Sequence, residues 1–486
     1  MIKENYSFYS DNIPINITVE SDKNEFVLLY KVSISKISEN TEIVLDKIRD
    51  ELVNRVSLGI SEISDPKKME YVKKRFRETI VYLLNKYFPD ISDDTRDFFT
   101  TYLMQKSFGL GKIEILLSDK FLEDIVINNA DEPVWVYHHV LGWLKTNILL
   151  KDEGIIKHYS SLIGRKVGRS ITLLRPLLDA HLESGDRVNA TLFPITTKGN
   201  TISIRKFSSK PITITNLLMT KVISLSAASL IWTCVQYELS GLIAGGTGSG
   251  KTTFLGAIAN FIPPNQRIIS IEDTREIQLS KHLHWVPMVT REPNTEGKGE
   301  VSMLDLVVNS LRMRPDRIIV GEIRKKREAD ILFEAMHTGH SVYATLHAND
   351  TEETLNRLMN PPIDIPKSLL PAVSMLCIMY RNRRTGIRRI FQFTEILRDS
   401  RANVLLQLDL KEDKLLTVSR SVRMLPELEI QTGLNQQEIN ESLKEKSLVL
   451  KWLAKKGISD VNDVGKVIAT YYTNKEGLMK FMVKNV

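Results

Sequence analysis

Cysteine is nearly absent. The 486 residues hold two, Cys234 and Cys377, each inside an apolar run. That count excludes a disulfide framework and a cysteine-rich zinc site, and leaves two buried free thiols as the expectation. Long hydrophobic runs are missing too. The longest uncharged stretches, Val222–Tyr237 and Ser368–Tyr380, fall short of the ~18–20 residues that cross a bilayer. The opening residues, MIKENYSFYSDN, are polar and lack the apolar core of a signal peptide. A cytoplasmic chain is therefore expected, with any membrane role peripheral. Nor does charge of one sign dominate: 66 Lys and Arg face 59 Asp and Glu, a formal +7, which permits an anionic partner without requiring one. What remains is 42% hydrophobic and 26% charged, the balance of a folded protein, and the length calls for more than one core.

Along the chain, apolar residues alternate over Ile13, Ile15, Ile17 and Val19, and again over Phe26, Leu28, Tyr30, Val32 and Ile34. A period of two predicts a half-buried hairpin. Three helical patterns follow. Leu45, Ile48, Leu52 and Val56 share one face. Asp65-Pro66 reads as an N-cap and first-turn pair before a stripe of Met69, Val72, Phe76, Ile80, Leu83 and Tyr87. A third helix is predicted over 93–108. From Gly109 the pattern becomes that of a small α+β domain, with strands near 125–128, 134–137 and 201–204 and a helix over 153–168. Ser208-Ser209-Lys210-Pro211 reads as a linker. After a helix near 225–238, strands and helices alternate to about residue 360, as in a parallel sheet covered on both faces. Residues 388–409 read as a hairpin, and 435–486 as short helices broken at Gly457. The expected segments are thus 1–109, 110–207, a linker at 208–220, 221–425, and a helical tail at 426–486.

One stretch carries specific chemistry. GGTGSGKTTF, residues 245–254, follows the apolar strand Gly241–Ala244 and matches G-x-x-x-x-G-K-[ST]. Gly245, Gly246, Thr247, Gly248, Ser249 and Gly250 let the backbone wrap a phosphate with its N–H groups. Lys251 supplies a positive charge for the β- and γ-phosphates, and the Thr252 hydroxyl, followed by Thr253, suits a Mg²⁺ ion. Phe254, Ile258 and Phe261 then mark a helix whose N-terminus favours an anion.

Ligands bind beyond the carboxyl ends of strands in open parallel sheets. Strand 267–271 ends at Glu272-Asp273, strand 317–320 at Gly321-Glu322, and strand 341–346 at His347. These ends should deliver two carboxylates and an imidazole to the rim that holds Lys251. Thr252, Glu272 and Glu322 are the candidate metal-site residues. Glu322 is the candidate for polarising an attacking water, and Gly321 is expected to leave room for backbone or metal-bound water. Three histidines, His337, His340 and His347, lie in HTGHSVYATLHAND. Without HExxH or cysteine support they do not read as zinc ligands; a core role and a γ-phosphate-sensing role both stay open.

GGTGSGKTT, ISIEDTREIQL, LRMRPDRIIVGEIR and TGHSVYATLHAND together resemble the phosphate loop, Asp box, Walker B region and His box of the ATPases of type II and type IV secretion, type IV pili and archaella. The upstream stretches GLGKIEILLSDKFLEDIVINN and LLDAHLESGDRVNATLFP extend the resemblance, and the absence of a tetracysteine subdomain favours the archaeal or type IV secretion branches. The resemblance implies a RecA-like P-loop domain preceded by an α+β domain. It also implies a hexameric ring binding ATP and Mg²⁺, and a polytopic membrane platform protein as partner at the inner face of the cell membrane. It assigns Arg187 and Arg205 to the phosphates as arginine fingers; as ordinary surface arginines they would have no such role. It casts Glu322 as the catalytic glutamate, Glu272 with Asp273 and Arg275 as the Asp box, and His340 and His347 as the His box. The leading expectation is a motor hydrolysing ATP to drive a pilus, archaellum or secretion filament. The alternative is a nucleic-acid translocating ring, for which RNRRTGIRR, residues 381–389, offers cations but no interleaved aromatics. A GTPase switch or small-molecule kinase is the third class, and no N-K-x-D guanine signal supports it.

Overall fold

In the computed structural model of the protein, which describes residues 2–10, 13–34, 37–55, 66–150, 152–182, 184–207, 210–293 and 297–484, the five expected segments group into two compact units. One runs from Met1 to Ser208 and the other from Ser209 to Val486.

In the first unit the alternation of Ile13, Ile15, Ile17 and Val19 does what a period of two dictates: all four are fully buried on one face of a strand. That strand, β2 (Ile13–Glu20), pairs antiparallel with β1 (Ile2–Ser10) on one side and β3 (Leu29–Ile34) on the other. The hairpin is therefore a three-stranded meander. Its first strand escapes a pattern reading because IKENYSFYS buries only its last residue fully. Phe26 stands exposed before β3 begins. The meander continues through β3 into β6 (Gly142–Thr146), β5 (Trp135–His138), β4 (Leu122–Ile127), β9 (Thr201–Arg205), β8 (Arg187–Thr191) and β7 (Leu177–His181), one sheet of nine strands. Tyr6 and Tyr30, from β1 and β3, both donate hydrogen bonds to Asp119 Oδ2, the first at 2.6 Å. Phe121 N–H supplies Oδ1 at 2.8 Å. This buried carboxylate ties the N-terminal strands to the α+β segment. Helices Glu39–Arg55, Pro66–Tyr87 and Asp93–Phe108 bury Leu45, Ile48, Leu52, Val72, Phe76, Ile80 and Leu83 in the same core. The readings that placed Val56 on a helix face, Asp65 as an N-cap and Ser208-Ser209 in a linker lie outside the described residues, as does the side chain of Met69.

The second unit is built on β10 (Gly241–Gly245), β11 (Arg267–Glu272), β12 (His284–Val289), β13 (Arg317–Val320), β14 (Ser341–Leu346), β15 (Met375–Arg381), β16 (Arg388–Ile396), β17 (Ala402–Asp409) and β18 (Lys414–Thr417). Their order is β12-β11-β13-β14-β10-β15-β16-β17-β18. Pairing is parallel from β12 to β15 and antiparallel beyond it. Every residue of β10, β13 and β14 is buried, as expected of strands covered on both faces. Ile243, Ile268, Ile319 and Tyr343 enter one hydrophobic cluster, while Leu242, Ile269, Ile318 and Val342 enter the other. The first cluster also holds Ile214 and Leu217, from helix Ile214–Met219 in the expected linker, and Leu428, Val449, Leu453 and Ile468 from the tail. The tail helices therefore share the core of the parallel sheet. Within that core Trp232 stacks on Phe261, centroids 5.0 Å apart, and donates to Tyr472 Oη at 2.8 Å. Tyr472 in turn donates to the Phe261 carbonyl at 2.6 Å. Among the described residues, no helix is long and apolar enough to cross a membrane.

Candidate functional site

Parallel pairing puts the carboxyl ends of β10, β11, β13 and β14 on one edge of the sheet, and most of the expected residues assemble there. Beyond β10 the chain makes the loop 246–250. Gly248 and Gly250 sit at φ of +70° and +91°, a region that glycine enters without Cβ strain. Gly250 then caps helix Lys251–Ala259 with no side-chain cap, so the first N–H groups of that helix stay available to an anion. Ser249 is buried and donates to the Gly246 carbonyl at 2.8 Å; Lys251 Nζ reaches the same oxygen at 3.1 Å. Gly245 ends the strand, Thr247 is exposed in the loop, and Thr252 and Thr253 occupy the first helical turn. Burial lowers the Lys251 pKa, against the pull of the nearby Glu322 and Glu276 carboxylates.

Glu272 closes β11 with its side chain 2% exposed. Oε1 accepts the N–H groups of Glu276 and Ile277 at 3.0 and 3.1 Å, while Oε2 is buried without a hydrogen-bond partner. Burial pushes this carboxyl up to about 7 despite those two backbone donors. A buried carboxylate oxygen with no donor is costly unless a cation or water meets it. With the Thr252 hydroxyl on the same rim, Glu272 makes a donor set that fits Mg²⁺.

The glycine before Glu322 has a steric reason. A Cβ built on Gly321 would lie 3.3 Å from Glu272 Cγ and 3.5 Å from its Cα and Cβ. The room at Gly321 is used by Glu272: its backbone Cα approaches, as the expectation of close backbone allowed, together with the stem of its side chain. Thr345 Oγ1 donates to the Gly321 carbonyl at 2.5 Å, and Gly321 N–H to the Ile271 carbonyl at 2.8 Å. The turn bearing Glu322 is thus pinned to the strands on both sides. Glu322 itself is half-buried and engaged: Oε2 accepts Nε and Nη2 of Arg324 at 2.9 and 2.7 Å. Arg324 Nη1 donates to Asp273 Oδ2 at 2.7 Å. Arg275, the other charged residue of the Asp box, lies over the Trp285 ring, 5.3 Å from its centroid.

His347 follows β14 on this rim, half-buried. His340 does not join it. It precedes Ser341 at the amino end of the same strand, where its carbonyl accepts from Ser240 Oγ at 3.5 Å. Seven residue steps separate the two histidines, about 23 Å at the usual rise. The sequence put both in one motif; the strand between them sends them to opposite edges of the sheet. Arg187 and Arg205 belong to the first unit, where they are register partners on β8 and β9 and both exposed. Arg187 also meets Asp179, Nη2 to Oδ2 at 2.7 Å.

Arg324 and Asn349 at the rim were not singled out beforehand, and Arg381 and Arg388 only within the basic stretch considered for nucleic acid. Arg324 was in plain view two residues after Glu322, the spacing that returns side chains to one side of an extended chain. Asn349 Oδ1 lies 2.9 Å from the position of a Cβ on Gly246, and Asn349 is held there by N and Nδ2 bonds to Glu353 Oε2 at 2.8 and 2.9 Å. Arg381 and Arg388, from the basic hairpin, flank Gly248. Arg388 Nε donates to its carbonyl at 3.0 Å, and Arg381 Nη1 stands 2.6 Å from a Cβ built there. Register explains this: Met379 of β15 lies opposite Gly245, so the strand carries Arg381 past the phosphate loop. Arg389 is committed elsewhere, to Asp413 at 2.7 Å and to the Thr220 carbonyl at 3.0 Å.

The model of the family described as "Type II/IV secretion system protein" matches residues 171–378. An uncharacterized protein of Methanocaldococcus jannaschii is 37% identical over 309 residues, 63% of this chain and 55% of its own length. A second protein of that organism is 38% identical over 349 residues, 70% of this chain and 46% of its own. The chain thus spans about half the length of these two relatives. The type IV secretion system protein PtlH of Bordetella pertussis is 31% identical over 274 residues, 52% of this chain and 80% of PtlH. Among solved structures, the VirB11 ATPase of the Brucella suis type IV secretion system aligns with a TM-score of 0.30 and 24% identity, covering 59% of this chain and 93% of that one. The ATPase DotB of Legionella pneumophila aligns with a TM-score of 0.44 and 19% identity, covering 77% and 95%. With PtlH covered over most of its length and the family model spanning the phosphate loop and the rim, the chain belongs to the Type II/IV secretion system protein family.

Proposed function

We propose that the protein is a motor ATPase that hydrolyses ATP and couples the reaction to assembly of a type IV pilus-like filament, an archaellum or a secretion machine. The observation that carries the proposal is the rim. One parallel sheet brings Lys251, Glu272, Glu322 and His347 to the ends of four strands, around a loop whose glycine geometry leaves backbone N–H groups for phosphate. In this reading loop 245–250 with Lys251 holds the β- and γ-phosphates, and Thr252 and Glu272 hold Mg²⁺, which neutralises phosphate charge when bound. Glu322 orients the attacking water and accepts its proton. Arg187 and Arg205, register partners on β8 and β9, supply positive charge to the transferring phosphoryl group. That PtlH is a type IV secretion system protein supports a membrane-associated machine as the setting. The working form is a homo-hexameric ring that docks on a polytopic platform protein at the inner face of the membrane.

The test is steady-state ATP turnover with Mg²⁺, alone and with anionic liposomes or with single- and double-stranded DNA. Turnover that rises with liposomes and ignores DNA supports the filament motor. Strong stimulation by DNA overturns it for a translocase, and the exposed Arg383 and Arg384 would be the residues to change first.

A further inference from the structure

The proposed base is occupied. Glu322 Oε2, the oxygen bonded to Arg324, accepts two N–H groups of one guanidinium, which spans from there to Asp273 at the end of the neighbouring strand. Both bonds fall on Oε2, so the clamp fixes the carboxylate's orientation and takes one of its two oxygens away from an incoming water. The clamp is nonetheless on the surface: the Arg324 side chain is 58% exposed against 27% for Glu322 and 42% for Asp273. Exposed ion pairs of this kind are weak and readily exchanged. The charges around it are Lys251 in the loop, whose ammonium interacts with Glu322, and Glu328 on the following helix, which interacts with Arg324. A polyphosphate seated against Lys251 brings several negative charges toward the exposed guanidinium of Arg324.

We propose that Arg324 is a latch on Glu322: it holds the base, a bound nucleoside triphosphate competes for the guanidinium without fully displacing it, and the fraction still latched with nucleotide bound limits hydrolysis. Arg324 acts here through Glu322, as a positioning residue, and the inference rests on the assignment of Glu322 as the base. The latch sets unstimulated turnover at saturating ATP, leaving nucleotide binding to the loop.

The experiment compares wild type with Arg324→Gln, Arg324→Lys and Glu322→Gln, each as the full chain, in steady-state ATP hydrolysis without any stimulator. Arg324→Gln should raise kcat about two- to fivefold with KM for ATP unchanged, the size expected from releasing an exposed ion pair. Arg324→Lys keeps the charge and should return kcat toward wild type. Loss of packing alone would lower kcat in both variants. A kcat for Arg324→Gln equal to or below wild type, while Glu322→Gln is inactive, overturns the latch and leaves the base assignment standing. Normal turnover in Glu322→Gln overturns both.

Discussion

The two sheets solve burial differently, and the difference decides where chemistry is legible. In the first unit the strands alternate, as in β2, where every other residue is fully buried. Each is read locally, and a polar residue on its open face needs no special reason. In the second unit β10, β13 and β14 are buried at every position, so polar groups gather at the strand ends, and those ends share one edge. Side chains on the first sheet thus give few functional signals. Those beyond the second converge, and each one there asks for an explanation.

The largest test of that contrast concerns the exposed pair on the first sheet. Arg205→Ala should lower ATP turnover by roughly 10³-fold or more if Arg205 acts on the transferring phosphoryl group. A surface arginine would cost next to nothing, and steady-state turnover separates the two. On the second sheet, Glu322→Gln should lower kcat by roughly 10²–10⁴-fold while ATP binding, followed by the rise in melting temperature with added nucleotide, stays intact. Gly321→Val drives a larger side chain against Glu272. It should destabilise the protein by about 1–3 kcal/mol in urea unfolding and weaken the Mg²⁺ dependence of turnover.

A last test concerns a buried cation away from the rim. Lys446, on tail helix Gln436–Lys456, is fully buried; it donates to Thr233 and Ser442 hydroxyls at 3.0 and 2.9 Å and lies near the rings of Tyr237 and Tyr471. Burial lowers its pKa to about 7, against ~10.4 for an exposed lysine. Between those values the unfolded chain carries a proton that the folded one lacks, so stability should rise with pH across the interval. The penalty is complete below about 7 and absent above the unfolded value. Comparing urea midpoints of wild type and Lys446→Met from pH 6 to 10 should show a slope in the first that flattens in the second.

The parallel sheet and its rim were open to a sequence reading because glycine, lysine and single carboxylates at strand ends have few other uses. Strands 317–320 and 341–346 fall where expected. What escaped depended on pairing between distant segments. The basic hairpin reads as a free cationic turn until β15 is set beside β10, after which Arg381 and Arg388 belong to the phosphate loop. The room at Gly321 could not be assigned to Glu272 before β11 and β13 were neighbours. His340 shares a motif with His347 but lies at the amino end of the strand, a separation that the chain order alone does not display. Strand β1 was missed because its partner, not its own pattern, makes it a strand.

One hydrogen bond reaches further than its length. Phe261 lies just past the helix that begins at Lys251, and the Tyr472 hydroxyl grips its carbonyl from the second-last helix of the chain. The helix therefore has one end at the glycine-rich loop and the other fastened to the C-terminal bundle, like a shaft bolted at its far end. In the proposed motor, a load on the bundle would reach the nucleotide through this helix, and a shift of the loop would reach the bundle.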